Sequence, residues 1–281
     1  MDTITQALYF DNIPTMSFVK PTIVFVEGNI GSGKSTLVKE AFDHYVDNDR
    51  VLFIQEPVDE WKTIKDKDGK DIISKYYADQ VEYGFKFQMM AYITRLKDLK
   101  NAMKENKYDV IICERSLNTD KNVFAKMLYD DGIIDEIGYQ IYTRWFDCFT
   151  DILPETKYVY LRTDPEICSE RVMKRNRTGE ENIPQEYLDK IHQYHETWLN
   201  DEGDKFLNGN ETVEFNRAIL FGYIDSLLSS SNESKLFYPR DDGNISDDNG
   251  EELCFGCKNN EPNQEAHMGP GGCCYDDDEF V

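Results

Sequence analysis

The stretch Gly28-Asn29-Ile30-Gly31-Ser32-Gly33-Lys34-Ser35-Thr36 constrains this chain more than any other. It stands directly behind the apolar run Thr22-Ile23-Val24-Phe25-Val26 and Glu27. A buried strand, a Gly-rich turn and a helix start, in that order, are the setting of a P-loop, G-x-x-x-x-G-K-[ST]. The glycines let the main chain curl until consecutive N–H groups point inward at phosphate oxygens. Lys34 can then reach the β- and γ-phosphates, and the Ser35 hydroxyl can ligate Mg²⁺. The motif predicts a nucleotide-phosphate site over Gly28 to Thr36.

The rest of the chain is compatible with an enzyme built around that site. Its 281 residues allow one large α/β domain plus extras, and 40% hydrophobic content is enough for a core. No apolar run reaches the roughly 18 residues that span a bilayer. Residues 1–20 have neither the basic nor the apolar region of a secretory signal and read as a disordered lead. Scattered Cys113, Cys148 and Cys168 read as reduced thiols, and together these features predict a cytoplasmic protein. The net charge of −23 argues against a nucleic-acid partner, since duplex affinity comes largely from Lys and Arg on phosphates.

Strand-like runs alternate with helical patterns. Strands are expected at Val51–Ile54, Val110–Cys113 and Tyr158–Leu161, with a weak fifth at Thr212–Phe215. Helices are expected over 34–45, 73–105, 119–130, 133–151, 164–176 and 184–200. Such alternation implies a parallel sheet of about five strands with helices on both faces. Ligands in these folds sit at the carboxyl ends of the strands. Glu56-Pro57-Val58 with Trp61 follows the second strand, and Glu114-Arg115-Ser116 with Asp120 follows the third. The helix after the fourth carries Arg171 and Arg175, i and i+4 on one face, with Arg177 beyond. Three arginines near a triphosphate suggest a lid clamping negative charge; the plainer alternative is a solvated basic helix end.

Taken together, these blocks make residues 22–200 resemble the deoxyribonucleoside kinases, specifically the deoxycytidine, deoxyguanosine and deoxyadenosine kinase group. Phe85-Lys86-Phe87-Gln88 with Arg95, Phe124, Arg175-x-Arg177, Glu180-Glu181-Asn182-Ile183-Pro184 and Tyr187-Leu188 extend the match. The resemblance implies transfer of the ATP γ-phosphate, with Mg²⁺, to a nucleoside 5′-hydroxyl, and a homodimer. It implies Glu56 as the base, Arg115 as its holder, and Glu114 with Ser35 on Mg²⁺. Tyr77 and Glu180 match residues on the 3′-hydroxyl, with Glu181 leaving the register open. Gln88 can pair with a base edge through its amide, and Trp61, Phe87 and Phe124 would wall the base; aromatics there could equally be ordinary core. The pair Arg95 and Asp120 favours deoxyguanosine, deoxyadenosine or deoxycytidine over thymidine, whose methyl it crowds. Two alternatives stand beside this reading: a nucleoside monophosphate kinase resembling thymidylate kinase, and a non-catalytic structural relative.

The end of the chain departs from that family. Residues 231–281 carry 13 acidic and 3 basic residues, against 41 and 28 elsewhere. The expected organisation is a kinase domain over 21–228, an acidic linker over 229–250 and a Cys/His-rich tail over 251–281. Cys254, Cys257, His267 and Cys273 offer three thiolates and an imidazole, a tetrahedral Zn²⁺ set; the alternative is a disordered tail with free thiols. The tail reads as a docking segment for a protein partner.

Overall fold

The computed structural model describes residues 20–237, apart from 151–152, 178–179 and 181–182; for residues 150, 201–202 and 232–237 it describes the main chain only. The chain divides into two units, Met1–Arg240 and Asp241–Val281, and every described residue belongs to the first. Cys254, Cys257, His267 and Cys273 lie outside the described residues.

Strands β1 (Thr22–Glu27), β2 (Val51–Ile54), β3 (Val110–Glu114), β4 (Thr156–Arg162) and β5 (Lys205–Asn208) form one parallel sheet, in the order β2-β3-β1-β4-β5. The α/β class read from the sequence is the class observed. β1 lies at the centre, with Val24 opposite Ile112 of β3 and Lys157 of β4. Its side chains alternate between two cores. Ile23 and Phe25 join Ile111, Tyr158, Leu188 and Ile191 on one face. Val24 and Val26 join Leu37, Ile112, Leu161 and Leu220 on the other. A strand covered on both faces needs apolar residues at successive positions, which is why Ile23-Val24-Phe25-Val26 is an unbroken run. Each such side chain contributes about 1.5–3 kcal/mol by its burial.

Helices α1 (Lys34–His44) and α10 (Val213–Phe237) supply Leu37 and Leu220 to the second core. Helices α4 (Gln80–Glu105) and α9 (Gln185–Glu202) supply Leu99 and Ile191 to the first. Among the described residues no helix is long and apolar enough to cross a membrane.

Four expectations need correction. The fifth strand is Lys205–Asn208, not Thr212–Phe215. Thr212 Oγ1 instead accepts from the Phe215 N–H at 3.2 Å, so the alternating Thr-Val-Glu-Phe is a helix cap and the first turn of α10. The long helix expected over 73–105 is two, α3 (Ile72–Ala78) and α4, parted at Asp79. The Asp79 carboxylate accepts from the Glu82 N–H at 3.1 Å and so starts a new helix. The stretch 119–130 comprises α5 (Leu117–Thr119), a π-helical segment Asp120–Ala125 and α6 (Lys126–Asp130). Finally, α10 continues to Phe237, past the expected linker start at residue 229. Ser229 bonds back to the Asp225 carbonyl at 2.9 Å and Ser230 to the Ser226 carbonyl at 3.0 Å, so these serines satisfy themselves within the helix.

Candidate active site

The loop after β1 has the close approaches that its glycines suggest. Gly28 has φ +146°, and a Cβ there would lie 2.6 Å from the Leu161 carbonyl oxygen of β4. Gly31 has φ +79°, and a Cβ there would lie 2.4 Å from the carbonyl oxygen of Cys168 in α8 (Pro165–Arg175). Neither position tolerates a side chain, so the loop packs directly on main chain. Asn29 Nδ2 donates to the Leu188 carbonyl of α9 at 2.9 Å. The Asn29 carbonyl accepts from Lys34 Nζ at 2.7 Å. Burial, helped by the Arg115 charge, pulls the Lys34 ammonium down to about 7 against the opposing pull of Glu114 and Glu56. Ser35 Oγ donates to Glu114 Oε1 at 2.6 Å, joining the loop to the end of β3. A hydroxyl and a carboxylate are hard oxygen donors of the kind Mg²⁺ takes.

Arg115 follows β3 in a left-handed conformation, φ +65°, unusual for a side chain of its size. Its N–H donates to the Val26 carbonyl at 3.0 Å and its Nη1 to the Gly28 carbonyl at 2.9 Å. Its Nε lies 3.4 Å from Glu56 Oε1. The strained turn aims this guanidinium back across the P-loop root toward the carboxylate after β2.

Arg95, on α4, completes the cluster. It pairs with Glu56, donates to Asp120 Oδ2 at 3.1 Å and donates to the Glu114 carbonyl at 3.2 Å. Burial alone would raise the Glu56 carboxyl, but Arg95, Arg115 and Lys34 together overcome it and hold Glu56 at about 2. Asp120 is lifted by burial above the ordinary carboxylate range, with Arg95 opposing. Buried charges persist only when paired this thoroughly.

A cavity of about 410 Å³ opens over these groups, within the size range of small-ligand sites. Trp61 and Phe87 meet edge to face at 5.4 Å between centroids, and the Trp61 indole N–H donates to Thr94 Oγ1 at 2.9 Å. Phe124 lies under the Arg115 guanidinium at 5.1 Å. Gln88 is 1% exposed, and its Oε1 has no partner among the described residues. A buried amide oxygen left without a partner in a polar-edged cavity fits a ligand that brings a donor. Glu180 is buried and bonded to Arg175 Nε at 3.0 Å and Arg177 Nη1 at 3.3 Å. Arg171 donates to the carbonyls of Ser32 at 2.9 Å and Gly209 at 3.0 Å, so of the three arginines it braces main chain.

The residues picked out by sequence converge here. Ile30, Gly31, Gly33 through Thr36, Glu56, Trp61, Tyr77, Phe87, Gln88, Arg95, Glu114, Arg115, Asp120, Phe124, Arg171, Arg175, Arg177 and Glu180 all line the cavity, whereas Gly28, Asn29 and Ser32 shape the loop from behind. Glu181 lies outside the described residues. Sequence reasoning missed Ile73, Tyr76 and Ala91 as lining residues. Helical spacing could have found them. Ala91 stands between Gln88 and Arg95 on one face of α4, and Ile73 and Tyr76 are i and i+3 on α3. Tyr76 stacks on Phe87 at 4.6 Å, and its hydroxyl is 2.7 Å from that of Tyr187, closing the wall between α3 and α9.

A family model described as deoxynucleoside kinase matches residues 24–236. Curated relatives include a protein of Fowlpox virus (strain NVSL) named probable deoxycytidine kinase, 34% identical over 203 residues, which are 71% of this chain and 80% of that one. Deoxycytidine kinase 2 of Gallus gallus is 34% identical over 196 residues, 63% of this chain and 73% of that one. The mitochondrial thymidine kinase 2 of Homo sapiens is 34% identical over 183 residues, 64% of this chain and 65% of that one.

Proposed function

The chain belongs to the deoxynucleoside kinase family, and from that premise we propose a division of labour within its cavity. As an ATP-dependent deoxynucleoside kinase it needs a base for the 5′-hydroxyl, charge around the triphosphate and a reader for the nucleobase. Glu56 takes the proton: Arg95 and Arg115 keep it ionised and fix its direction. A positioned base of this kind is worth about 10²–10⁴ in rate, or roughly 3–5 kcal/mol of barrier. Lys34 and the N–H groups of the P-loop hold the β- and γ-phosphates, and Arg175 and Arg177 close on them from the lid. Ser35 and Glu114 hold Mg²⁺, which supplies charge neutralisation on the phosphates. Tyr77 and Glu180 take the 3′-hydroxyl.

The observation that carries the specificity is the Arg95–Asp120 pair in the same cavity as the Gln88 carbonyl, which has no partner among the described residues. A buried ion pair at the base edge offers donors and an acceptor, and leaves no apolar space for thymine's methyl. Deoxycytidine, deoxyguanosine and deoxyadenosine are therefore the favoured substrates. The test is a panel of the four deoxynucleosides and their monophosphates with ATP and Mg²⁺; a protein that prefers thymidine, or phosphorylates only monophosphates, overturns it.

Two further assignments go with this reading. The partner is a second copy of the chain, meeting it through α7 (Glu136–Thr150). Ile137, Ile141 and Trp145 recur every fourth residue there and stand 70%, 42% and 46% exposed, a stripe unsuited to water. Light scattering of wild type and Trp145→Glu tests it, with a dimer converted to a monomer as the expected result. The tail residues Cys254, Cys257, His267 and Cys273 hold one structural Zn²⁺, on the strength of their spacing.

A further inference from the structure

Glu27 ends β1 and is 0% exposed, yet none of the roles above uses it. Its Oε1 has no hydrogen-bond partner among the described residues, and its Oε2 accepts from the Thr119 hydroxyl. One hydroxyl as the hydrogen-bond partner of a buried carboxylate is an expensive arrangement, which the nearby Arg95 charge offsets in part. It persists only where something else depends on it.

What depends on it lies on either side. Gly28 follows Glu27, opens the P-loop and presents its carbonyl to Arg115. Thr119, also 0% exposed, donates its N–H to Ser116 Oγ at 3.0 Å. The next residue starts the π-helical segment that brings both Asp120 and Phe124 to the cavity. π-Helical turns are rare, and they concentrate at functional sites. Three tertiary contacts hold the segment's start, the Asn118–Tyr158 bond, the Arg95–Asp120 pair and the Glu27–Thr119 bond, and of these only the last ties it to the root of the P-loop. From Asp120 the chain of contacts passes to Arg95 and on to Glu56.

We infer that Glu27 is a positioning residue for the nucleoside site, holding Asp120 and Phe124 in register with the P-loop through its contact with the Thr119 hydroxyl. The inference rests on the reading that the base lies against Gln88, Arg95 and Asp120.

Four variants of the full-length chain separate the contact from the charge. Thr119→Val keeps the shape and removes the donor. Glu27→Asp keeps the charge and withdraws the oxygen by one methylene. Glu27→Gln keeps an acceptor for Thr119 and removes the charge, and Thr119→Ser keeps the hydroxyl. Steady-state kinetics with the best deoxynucleoside of the panel should show a nucleoside KM raised about tenfold in Thr119→Val and Glu27→Asp, the loss of one good contact. The ATP KM should stay within about twofold, and preference over thymidine should fall. Glu27→Gln and Thr119→Ser should stay near wild type. If one of the first pair fails to fold, the other carries the test. A wild-type nucleoside KM in the first pair overturns the inference. So does an equal rise in both KM values, or a Glu27→Gln as impaired as Glu27→Asp. Gln88→Ala is the control for the underlying reading: an unchanged nucleoside KM there sinks the base placement and the inference with it, whereas a raised KM there beside a wild-type KM in the first pair sinks the inference alone.

Discussion

Ser35 and Glu114 stand 79 residues apart in the chain and 2.6 Å apart in the fold, hydroxyl to carboxylate. Parallel pairing of β1 with β3 puts the P-loop and the end of β3 side by side, so the two oxygens meet without either loop reaching. If they share a Mg²⁺, Glu114→Gln should raise the Mg²⁺ concentration for half-maximal activity by about tenfold or more, the equivalent of roughly 1.4 kcal/mol. A Mg²⁺ titration at saturating ATP and nucleoside measures it, and an unchanged midpoint rejects the pair as ligands.

If Glu56 is the base, Glu56→Gln keeps its shape and removes its proton affinity. Turnover should fall by about 10²-fold or more, with nucleoside binding by calorimetry largely kept. The wild-type pH profile adds a second check. The folded-state pKa of Glu56 is depressed, to about 2, so the carboxylate is ionised throughout the range in which the enzyme is assayed. Its contribution to stability is present above the ordinary value of 4.5 and is lost only as pH falls toward about 2. kcat/KM should therefore show no acid limb near the ordinary glutamate value, and Arg95→Met should bring one in from below by removing the strongest opposing charge.

Lys34 makes the opposite prediction on the alkaline side. Its pKa is lowered to about 7 by burial and Arg115, so at pH 8 most of it is neutral. Triphosphate oxygens favour the charged form. ATP binding at pH 8 should take up a proton, and at pH 6 should take up little from this group because it is already charged. Calorimetry in two buffers of different ionisation enthalpy reads the difference. Identical enthalpies at pH 8 would contradict it.

Replacing Arg95 with Met and Asp120 with Ala together should admit thymidine. If the two residues face the nucleobase as proposed, the change removes both charges there and leaves apolar space for a methyl group. The readout is the ratio of kcat/KM for thymidine to that for deoxycytidine, which should rise by at least about tenfold, one lost charge-assisted contact. A ratio that does not move means that these two residues do not face the base.

The tail can be tested by metal analysis. Full-length protein should carry about one Zn²⁺ per chain on Cys254, Cys257, His267 and Cys273. The truncation belongs after Phe237 rather than near residue 230. A cut at 230 would remove residues 231–237 of α10 and leave its new end two residues from the Leu228 carbonyl that accepts from Arg50 at 3.1 Å. Protein ending at Phe237 should lose the metal and keep its kinase activity. Equal zinc in both samples rejects the site.

Much of the lining of the candidate site could be read from the chain because it is contiguous. The P-loop, Glu56-Pro57-Val58 and Glu114-Arg115-Ser116 each place their functional groups within a few residues of a strand end, and an apolar run such as Ile23-Val24-Phe25-Val26 declares a strand buried on both faces. Local sequence is sufficient where the structure uses local geometry. It failed where two local readings were nearly equal in energy and distant contacts chose between them. Thr212-Val213-Glu214-Phe215 alternates like a strand, yet Leu207 fills the place beside β4 and leaves those residues to cap a helix. Ser229 and Ser230 look like a linker until their hydroxyls turn back onto α10. No spacing rule could join Arg95 to both Glu56 and Asp120, Tyr76 to Tyr187, or Glu27 to Thr119. Those pairs exist because the strand order β2-β3-β1-β4-β5 sets the strand ends, and the helices α3, α4 and α9 packed over them, around one cavity, and intrinsic propensities are too weak to decide against such packing.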